Sequence, residues 1–389
     1  MMRAAKTTLT TETQRHGLRL FSCVSVSLWL IFFCCVFAEL LSAPAAFTQN
    51  QTRPRRTAQT NDSPTQKQTN DAKRQDAQTV DDDDDEVVTI NASEVLLPVT
   101  VRDSSGRLVT DLARKDFRVF EDGREQPLSD LSLRRVPVDV ALLVDASSSV
   151  AESFEDFRRA ADEFAARLET DDRFCLIKFD DRVELLLDWT SSRLQLRRAL
   201  GRLSTGVFTR FNDALALSAR EQFKKGERRR ALVVLSDGID SNRGATTADA
   251  AMRSLLESQV TVYVISNTEI ERARKESELD SLLSGGDSAV RFNQLRIGDL
   301  REGLRVLDAS ERNLSELTRS TGGRLYRPQS FAALGGLYNE IADELRHQYA
   351  LYYTPTSPAR DGRFRRVKVE VPTRDCEIST RVGYYAPRR

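Results

Sequence analysis

Two apolar patterns alternate along the middle of this chain. Unbroken runs such as Val138 to Val144 and Ala231 to Leu235 end abruptly in polar residues, as parallel strands buried on both faces do. Between them, apolar residues recur at helical spacing. Val150, Phe154, Phe157, Ala161, Phe164, Ala165 and Leu168 form one stripe, with Glu155, Arg158, Arg159 and Arg167 outside it, and predict a helix starting near Val150. A strand over Arg173–Asp180 follows. The link Asp180-Asp181-Arg182 is so short that Val183–Trp189 must pair with it antiparallel. Helices are predicted at 192–203 and 212–223, a strand at 231–235, a helix at 247–257 and a strand at 260–265. The alternation predicts an α/β fold, with a mostly parallel central sheet and helices on both faces.

Outside this region the period changes to two. Val99 and Val101 alternate with polar residues, Ser104-Ser105-Gly106 makes a turn, and Phe117-Arg118-Val119-Phe120 leads into the hairpin signal Glu121-Asp122-Gly123-Arg124. Beyond a long helix predicted at Phe331–Arg346, Tyr349–Pro355 and Val367–Val371 read as half-buried antiparallel strands, and Arg381–Tyr385 adds another. Neither flank holds enough strands for its own core. The two are expected to combine into one small β-sandwich with the α/β domain inserted between them. The expected organisation is a signal peptide (1–47), a disordered polar and acidic linker (48–86), an N-terminal β segment (87–136), the α/β domain (137–346) and a C-terminal β segment (347–387).

The stretch 267–308 is the least legible. A charged, helix-like part (Glu269–Leu283) meets the turn signal Ser284-Gly285-Gly286-Asp287. The pattern leaves open a helical excursion on the side of the polar strand ends or the far edge of the sheet. Leu314 to Leu317 followed by Thr321-Gly322-Gly323 predicts a helix with a glycine stop, and a short strand follows at Arg324–Tyr326.

Charge is balanced over the 389 residues, 58 Lys+Arg against 58 Asp+Glu, so nothing global attracts nucleic acid. His16 and His347 are the only histidines. That excludes a histidine-rich zinc site and leaves no base for a histidine-activated nucleophile. Arg15 and Arg19 precede an uncharged apolar run over 21–38, and Ala43-Pro44-Ala45 has the small residues of a signal-peptidase site. A cleaved signal is expected, with a retained membrane anchor as the alternative. The bulk of the chain is therefore expected to be exported, whether periplasmic, cell-surface or secreted. Asp81–Glu86 is consecutive charge rather than a spaced calcium loop. Cys175 is expected to be a buried free thiol rather than the disulfide partner of Cys376.

Chemistry collects at the strand ends. Asp145-Ala146-Ser147-Ser148-Ser149 follows the first strand, Ser236-Asp237-Gly238 follows the strand at 231–235, and Thr209 lies in a loop between them. Ligands of open α/β sheets sit beyond the carboxyl ends of the strands. Hard oxygen donors with few carboxylates, leaving room for water, suit Mg²⁺, with Mn²⁺ or Ca²⁺ as alternatives. The candidate metal-binding residues are Asp145, Ser147, Ser149, Thr209 and Asp237. No catalytic residue or organic cofactor is indicated. The plainer reading is that serine-rich strand ends cap the next helix.

These residues resemble the von Willebrand factor type A fold over roughly Val138 to Arg346. Asp145-x-Ser147-x-Ser149, a threonine four residues before Asp213-Ala214-Leu215, and Ser236-Asp237-Gly238 are similar to its metal-ion-dependent adhesion site. The resemblance implies that Ser147 and Ser149 bind the metal through their hydroxyls. It implies that Thr209 binds directly in a ligand-engaged state and through water otherwise. Asp145 and Asp237 would hold metal-bound waters, and a partner's acidic side chain would fill the open position. One departure stands out: Val207 and Phe208 replace the usual paired glycine before Thr209. A wider likeness, over about 95–387, is to a bacterial group of von Willebrand factor A-related proteins abundant in acidobacteria. It rests on Val101-Arg102-Asp103-x-x-Gly106, Leu112-x-x-x-Asp116-Phe117, Tyr349-x-Leu351-x-Tyr353-x-Pro355 and Gly383-Tyr384-Tyr385, and implies architecture more than activity.

The expected function is an exported, non-enzymatic, metal-dependent protein-binding or adhesion module. Its partner would be a protein offering an Asp or Glu carboxylate; no nucleic acid is expected, and membrane contact only through a retained N-terminal segment. Phe208, Arg210 and the Asp240–Arg243 loop would form the selective rim. The alternative is a structural envelope or assembly protein with a vestigial metal site, kept open by the 204–209 loop. A metal-dependent hydrolase is disfavoured, because no nucleophile or base accompanies the aspartates. Arg228-Arg229-Arg230 reads as a solvated loop, and Tyr352, Tyr353, Tyr384 and Tyr385 as core and sheet-face packing.

Overall fold

The computed structural model describes residues 94–132, 136–147, 154–223, 228–356 and 360–388. The expected signal peptide and linker, the helix start near Val150, and Ser149 lie outside these residues. The N-terminal flank forms β1 (Val95–Asp103), β2 (Arg118–Glu121), β3 (Arg124–Gln126) and β4 (Leu128–Ser132). The α/β region then runs β5 (Val138–Asp145), α1 (Phe154–Arg167), β6 (Arg173–Phe179), β7 (Val183–Thr190), α2 (Arg193–Leu200) and α3 (Phe211–Leu217). It continues with β8 (Arg229–Leu235), α4 (Ala248–Glu257) and β9 (Thr261–Ile265). Three helices intervene, α5 (Thr268–Leu283), α6 (Gly286–Phe292) and α7 (Gln294–Thr321), before β10 (Leu325–Tyr326) and α8 (Leu334–His347). The C-terminal flank supplies β11 (Tyr349–Tyr353), β12 (Phe364–Glu370), β13 (Cys376–Ser379) and β14 (Gly383–Tyr385).

The central sheet has the order β10-β9-β8-β5-β6-β7. Every pairing in it is parallel except β6–β7, which the short link at 180–182 forces to be antiparallel. Continuous apolar runs serve both faces at once. Val140, Leu142 and Val144 pack toward α1 and α8, while Ala141 and Leu143 pack toward α3, α4 and α7. Cys175 is wholly buried and unpaired, and burial pushes its thiol up, so it behaves as a small apolar residue.

The two flanks interleave. One antiparallel sheet has the order β13-β1-β11-β4 and the other β14-β12-β2-β3, so each mixes strands from both ends of the chain. Val99, Val101 and Leu351 share one core with Val119, Val367 and Val369, which makes the pair a β-sandwich around the inserted α/β region. The hydroxyls of Tyr353 and Tyr384 both donate to Glu121 Oε2 at 2.9 Å, tying the sheets together inside that core.

A buried polar joint links sandwich and α/β region. Glu344 of α8 accepts hydrogen bonds from Arg102 Nη2 (2.5 Å), Thr100 Oγ1 (3.1 Å) and Tyr263 Oη (3.0 Å). Burial alone would lower the Arg102 guanidinium, but the Glu344 carboxylate outweighs it and the net shift is upward. Arg229 corrects the solvated-loop expectation for 228–230. It begins β8 and is buried, with Nε donating to the Val136 carbonyl at 2.7 Å and Nη1 to that of Leu345. Its guanidinium satisfies backbone acceptors where α8 leaves the domain.

The stretch 267–308 is a helical excursion, not the sheet's far edge, which is β10. Helices α5 and α7 pack antiparallel, with Arg272–Asp308 (2.7 Å) and Arg296–Glu278 (2.6 Å) across their faces. The C-terminal end of α7 stops at Gly322, whose φ of +80° is the left-handed cap expected there. The Ser320 carbonyl accepts from Val382 of the sandwich, whereas Ser310 bonds the Asp237 carbonyl at the opposite end of the sheet. Residues 294–309 therefore extend roughly 24 Å past the carboxyl ends of the strands, at about 1.5 Å per residue. Phe292 and Leu295, 90% and 87% exposed, stand at the tip.

Candidate functional site

Asp145 is the last residue of β5, and register pairs Val144 with Leu235 of β8, so Asp145 and Ser236 emerge side by side. Asp145 is fully buried. Its Oδ1 accepts the Ser147 backbone N–H at 2.9 Å and its Oδ2 the Ser236 hydroxyl at 2.8 Å. Burial pushes its carboxyl up, and those bonds pull against the shift. Asp237 is 9% exposed, and burial followed by the Asp145 charge pushes it up to about 7. Its Oδ1 accepts the Ile239 N–H at 2.9 Å, its one hydrogen bond among the described residues. Neither carboxylate forms an ion pair among the described residues.

Gly238 makes the turn after Asp237 with φ +71°, and an added Cβ would lie 2.6 Å from Leu314 Cδ2 of α7. A side chain is excluded there on both counts. The threonine loop is moored to the same strand ends. Gly206 forms a parallel bridge with Ser147, and its N–H donates to the Ala146 carbonyl at 2.9 Å. A Cβ on Gly206 would sit 2.6 Å from Asp180 Cβ, so this approach needs glycine. Asp181 accepts the backbone N–H groups of Val207 (3.3 Å) and Phe208 (2.9 Å). Thr209 is 9% exposed and clasped to Ser241, donating its N–H to Oγ at 3.0 Å and accepting the Ser241 N–H at 2.9 Å. Val207 is 74% exposed, so its bulk is not packed into the site. The Arg243 guanidinium lies 3.6 Å from the centre of the Phe208 ring, a cation–π contact on the rim.

Asp145, Ser147 and Asp237 thus share one spot at the carboxyl edge, and the loop carrying Thr209 is fastened to Ser147. Sequence reading places Ser236 and Asp213 in its motifs but gives these supports no role. Ser236 holds Asp145. Asp213 accepts the N–H groups of Ala245 and Thr246 and fixes the outer loop. Asp180 pairs with Lys178 at 2.8 Å beneath Gly206. Asp180 and Asp181 were legible only as a tight turn, although aspartates there are well placed to bind loop N–H groups.

Residues 140–239 match the family model of the von Willebrand factor type A domain. This segment is a von Willebrand factor type A domain. An uncharacterized protein of Synechocystis sp. is 31% identical over 109 residues, 27% of this chain and 26% of that protein, so the match spans about a quarter of the relative's length. Among solved structures, proximal thread matrix protein 1 from the mussel byssus, with a zinc-occupied MIDAS motif, is 15% identical with a TM-score of 0.41. That alignment covers 58% of this chain and 50% of the mussel protein. An aerotolerance-related membrane protein from Bacteroides fragilis is 21% identical, with a TM-score of 0.37, over 53% of this chain and 99% of that one. A von Willebrand factor type A protein from Catenulispora acidiphila is 12% identical, with a TM-score of 0.40, over 64% and 66%.

The donor set of the type A domain fits a hard divalent cation. Two carboxylates, buried side by side with no ion pair among the described residues, disfavour each other's ionised form, and a dication would relieve both. Among the described residues no group of three or more His, Cys, Asp or Glu side chains is placed to hold a metal. A cation here would therefore rest on hydroxyls as well as on the two acids. In metal-free protein, Asp237 has its folded pKa raised. Its favourable contribution is complete below the usual carboxylate range and is lost as pH rises through about 7. Thermal melts in EDTA from pH 5 to 8 should show Asp237→Asn gaining stability relative to the parent as pH rises. A constant difference would contradict the assignment.

Proposed function

We propose that the chain is an exported, metal-dependent protein-binding module. In this reading a divalent cation, Mg²⁺ by the hardness of its donors, sits at the ends of β5 and β8, and a partner's Asp or Glu carboxylate completes its coordination. Ser147 and Thr209 would supply hydroxyls, and Asp145 and Asp237 would orient bound water. Ser149, outside the described residues, joins them through the family motif. One observation carries the reading: Asp145 and Asp237 are buried at adjacent strand ends, beside hydroxyls, and neither forms an ion pair among the described residues. Mostly uncharged donors leave a dication electrophilic toward an incoming acid.

The surroundings support binding rather than catalysis in this reading. His347, the one described histidine, is exposed at the C-terminal end of α8, next to the sandwich rather than the metal site. Export rests on the apolar run at 21–38 and the small residues after it. No helix among the described residues is long and apolar enough to cross a membrane. Pull-downs of envelope proteins with the full chain should show capture that needs Mg²⁺ and is lost both in EDTA and in Asp145→Ala. Capture indifferent to both treatments would sink the proposal.

A further inference from the structure

Beside the carboxylates, on the face of the sheet covered by α3, α4 and α7, lies a cavity of about 540 Å³. That size is typical of ligand pockets. Phe211, Leu215 and Leu317 contribute apolar surface, and Val306 and Ala309 of the projecting α7 form one wall. Gly238 lines it as well, so the cavity opens one residue from Asp237. Asp240 is the single charged residue among its described lining. Both carboxylate oxygens of Asp240 are already occupied, accepting the N–H groups of Asn212 (2.9 Å) and Asn242 (2.7 Å). That one carboxylate, tethered by two backbone N–H groups, is all the charge on a lining that is otherwise neutral. The carboxamides of Asn242 and Asn313 lie on the lining without partners among the described residues, free to bond a peptide backbone.

We infer that this cavity is a second subsite for the protein partner, receiving an uncharged apolar side chain from the extended segment whose acid engages the metal. The inference rests on the proposed function and specifies the partner's chemistry. Continuity sets the spacing. Extended chain advances about 3.3 Å per residue, so a side chain within roughly three residues of the acid reaches past Gly238 into the cavity. The α7 wall then runs on beyond the strand ends and confines the segment to the α4 side. The recognised sequence is an acid followed or preceded closely by a large apolar residue.

The test is selection of a phage-displayed random 12-mer library on the full chain in Mg²⁺, with synthetic copies of the enriched peptides titrated into variants. Ala309 and Val306 are solvent-exposed helix positions, so Ala309→Trp and Val306→Glu fill or charge the cavity without touching the core. Enriched peptides should pair one acid with an apolar residue at fixed short spacing. They should lose at least ten-fold in affinity for both variants, while the Mg²⁺-dependent thermal shift is retained. Equal affinity for parent and variants, no enrichment, or enriched acids with no apolar companion would overturn the inference. So would self-association that Ala309→Trp abolishes, which would give the cavity to a second copy. Peptides that bind Asp145→Ala normally but fail on Ala309→Trp would leave the cavity assigned and remove the metal reading.

Discussion

Arg102→Leu is expected to lower stability by about 3–5 kcal/mol, the usual effect of stranding one member of a buried ion pair. The guanidinium of Arg102 reaches Glu344 at 2.5 Å, with the two side chains 7% and 2% exposed. Removing it leaves a buried carboxylate whose remaining hydrogen-bond donors among the described residues are the neutral hydroxyls of Thr100 and Tyr263. Thermal denaturation should show a fall on the order of 10 °C, at roughly 2–4 °C per kcal/mol for a chain of this size. The sign of the pH dependence follows. A stranded buried acid has its folded pKa raised, so the variant's deficit should shrink as pH falls and the carboxyl is protonated. Adding Glu344→Gln should recover much of the loss, since a carboxamide still accepts from Thr100 and Tyr263 without needing a counter-charge. If the single variant melts like the parent, the joint does not hold the sandwich to the α/β region.

That joint also marks where sequence reading stops. The strands of the central sheet were legible because each is an unbroken apolar run, and β7 because a three-residue link permits one geometry. The combined sandwich was legible by elimination, since neither flank could bury a core. Arg229 was not. Three consecutive arginines look solvated, and only the meeting of β8, Val136 and α8 supplies the carbonyls that let one of them go inside. Helix α7 was seen only at its glycine stop. Its buried positions, Ile297, Leu300, Leu307, Leu314 and Leu317, are widely spaced because half of the helix projects beyond the sheet and packs on the charged helix α5 instead. The candidate site draws on both kinds of signal. Its strand-end motifs are local, whereas the Asp181 and Ser241 bonds that hold the threonine loop depend on residues 26 to 32 positions away.

Asp145→Ala is expected to abolish stabilisation by Mg²⁺. A cation at a hundred times its dissociation constant stabilises the folded chain by about 2.7 kcal/mol, a shift of the melting temperature on the order of 5 °C or more. Asp145 is the residue on which Ser147 and Ser236 both converge, so its loss releases the turn as well as a charge. Without metal, Asp145→Ala loses those two bonds but also one of two mutually repelling buried acids, effects of opposite sign, so the decisive readout is the Mg²⁺ shift of each protein against its own metal-free melt. A variant that keeps the full Mg²⁺ shift would place the cation elsewhere.

The most direct measurement is the anomalous signal of Mn²⁺ in crystals of the protein grown with the ion in excess. One strong peak is predicted between the ends of β5 and β8, in contact with the Ser147 hydroxyl and within reach of Asp145 and Asp237 through water. Featureless density there at saturating Mn²⁺, with the loop at 204–209 in place, would contradict the account.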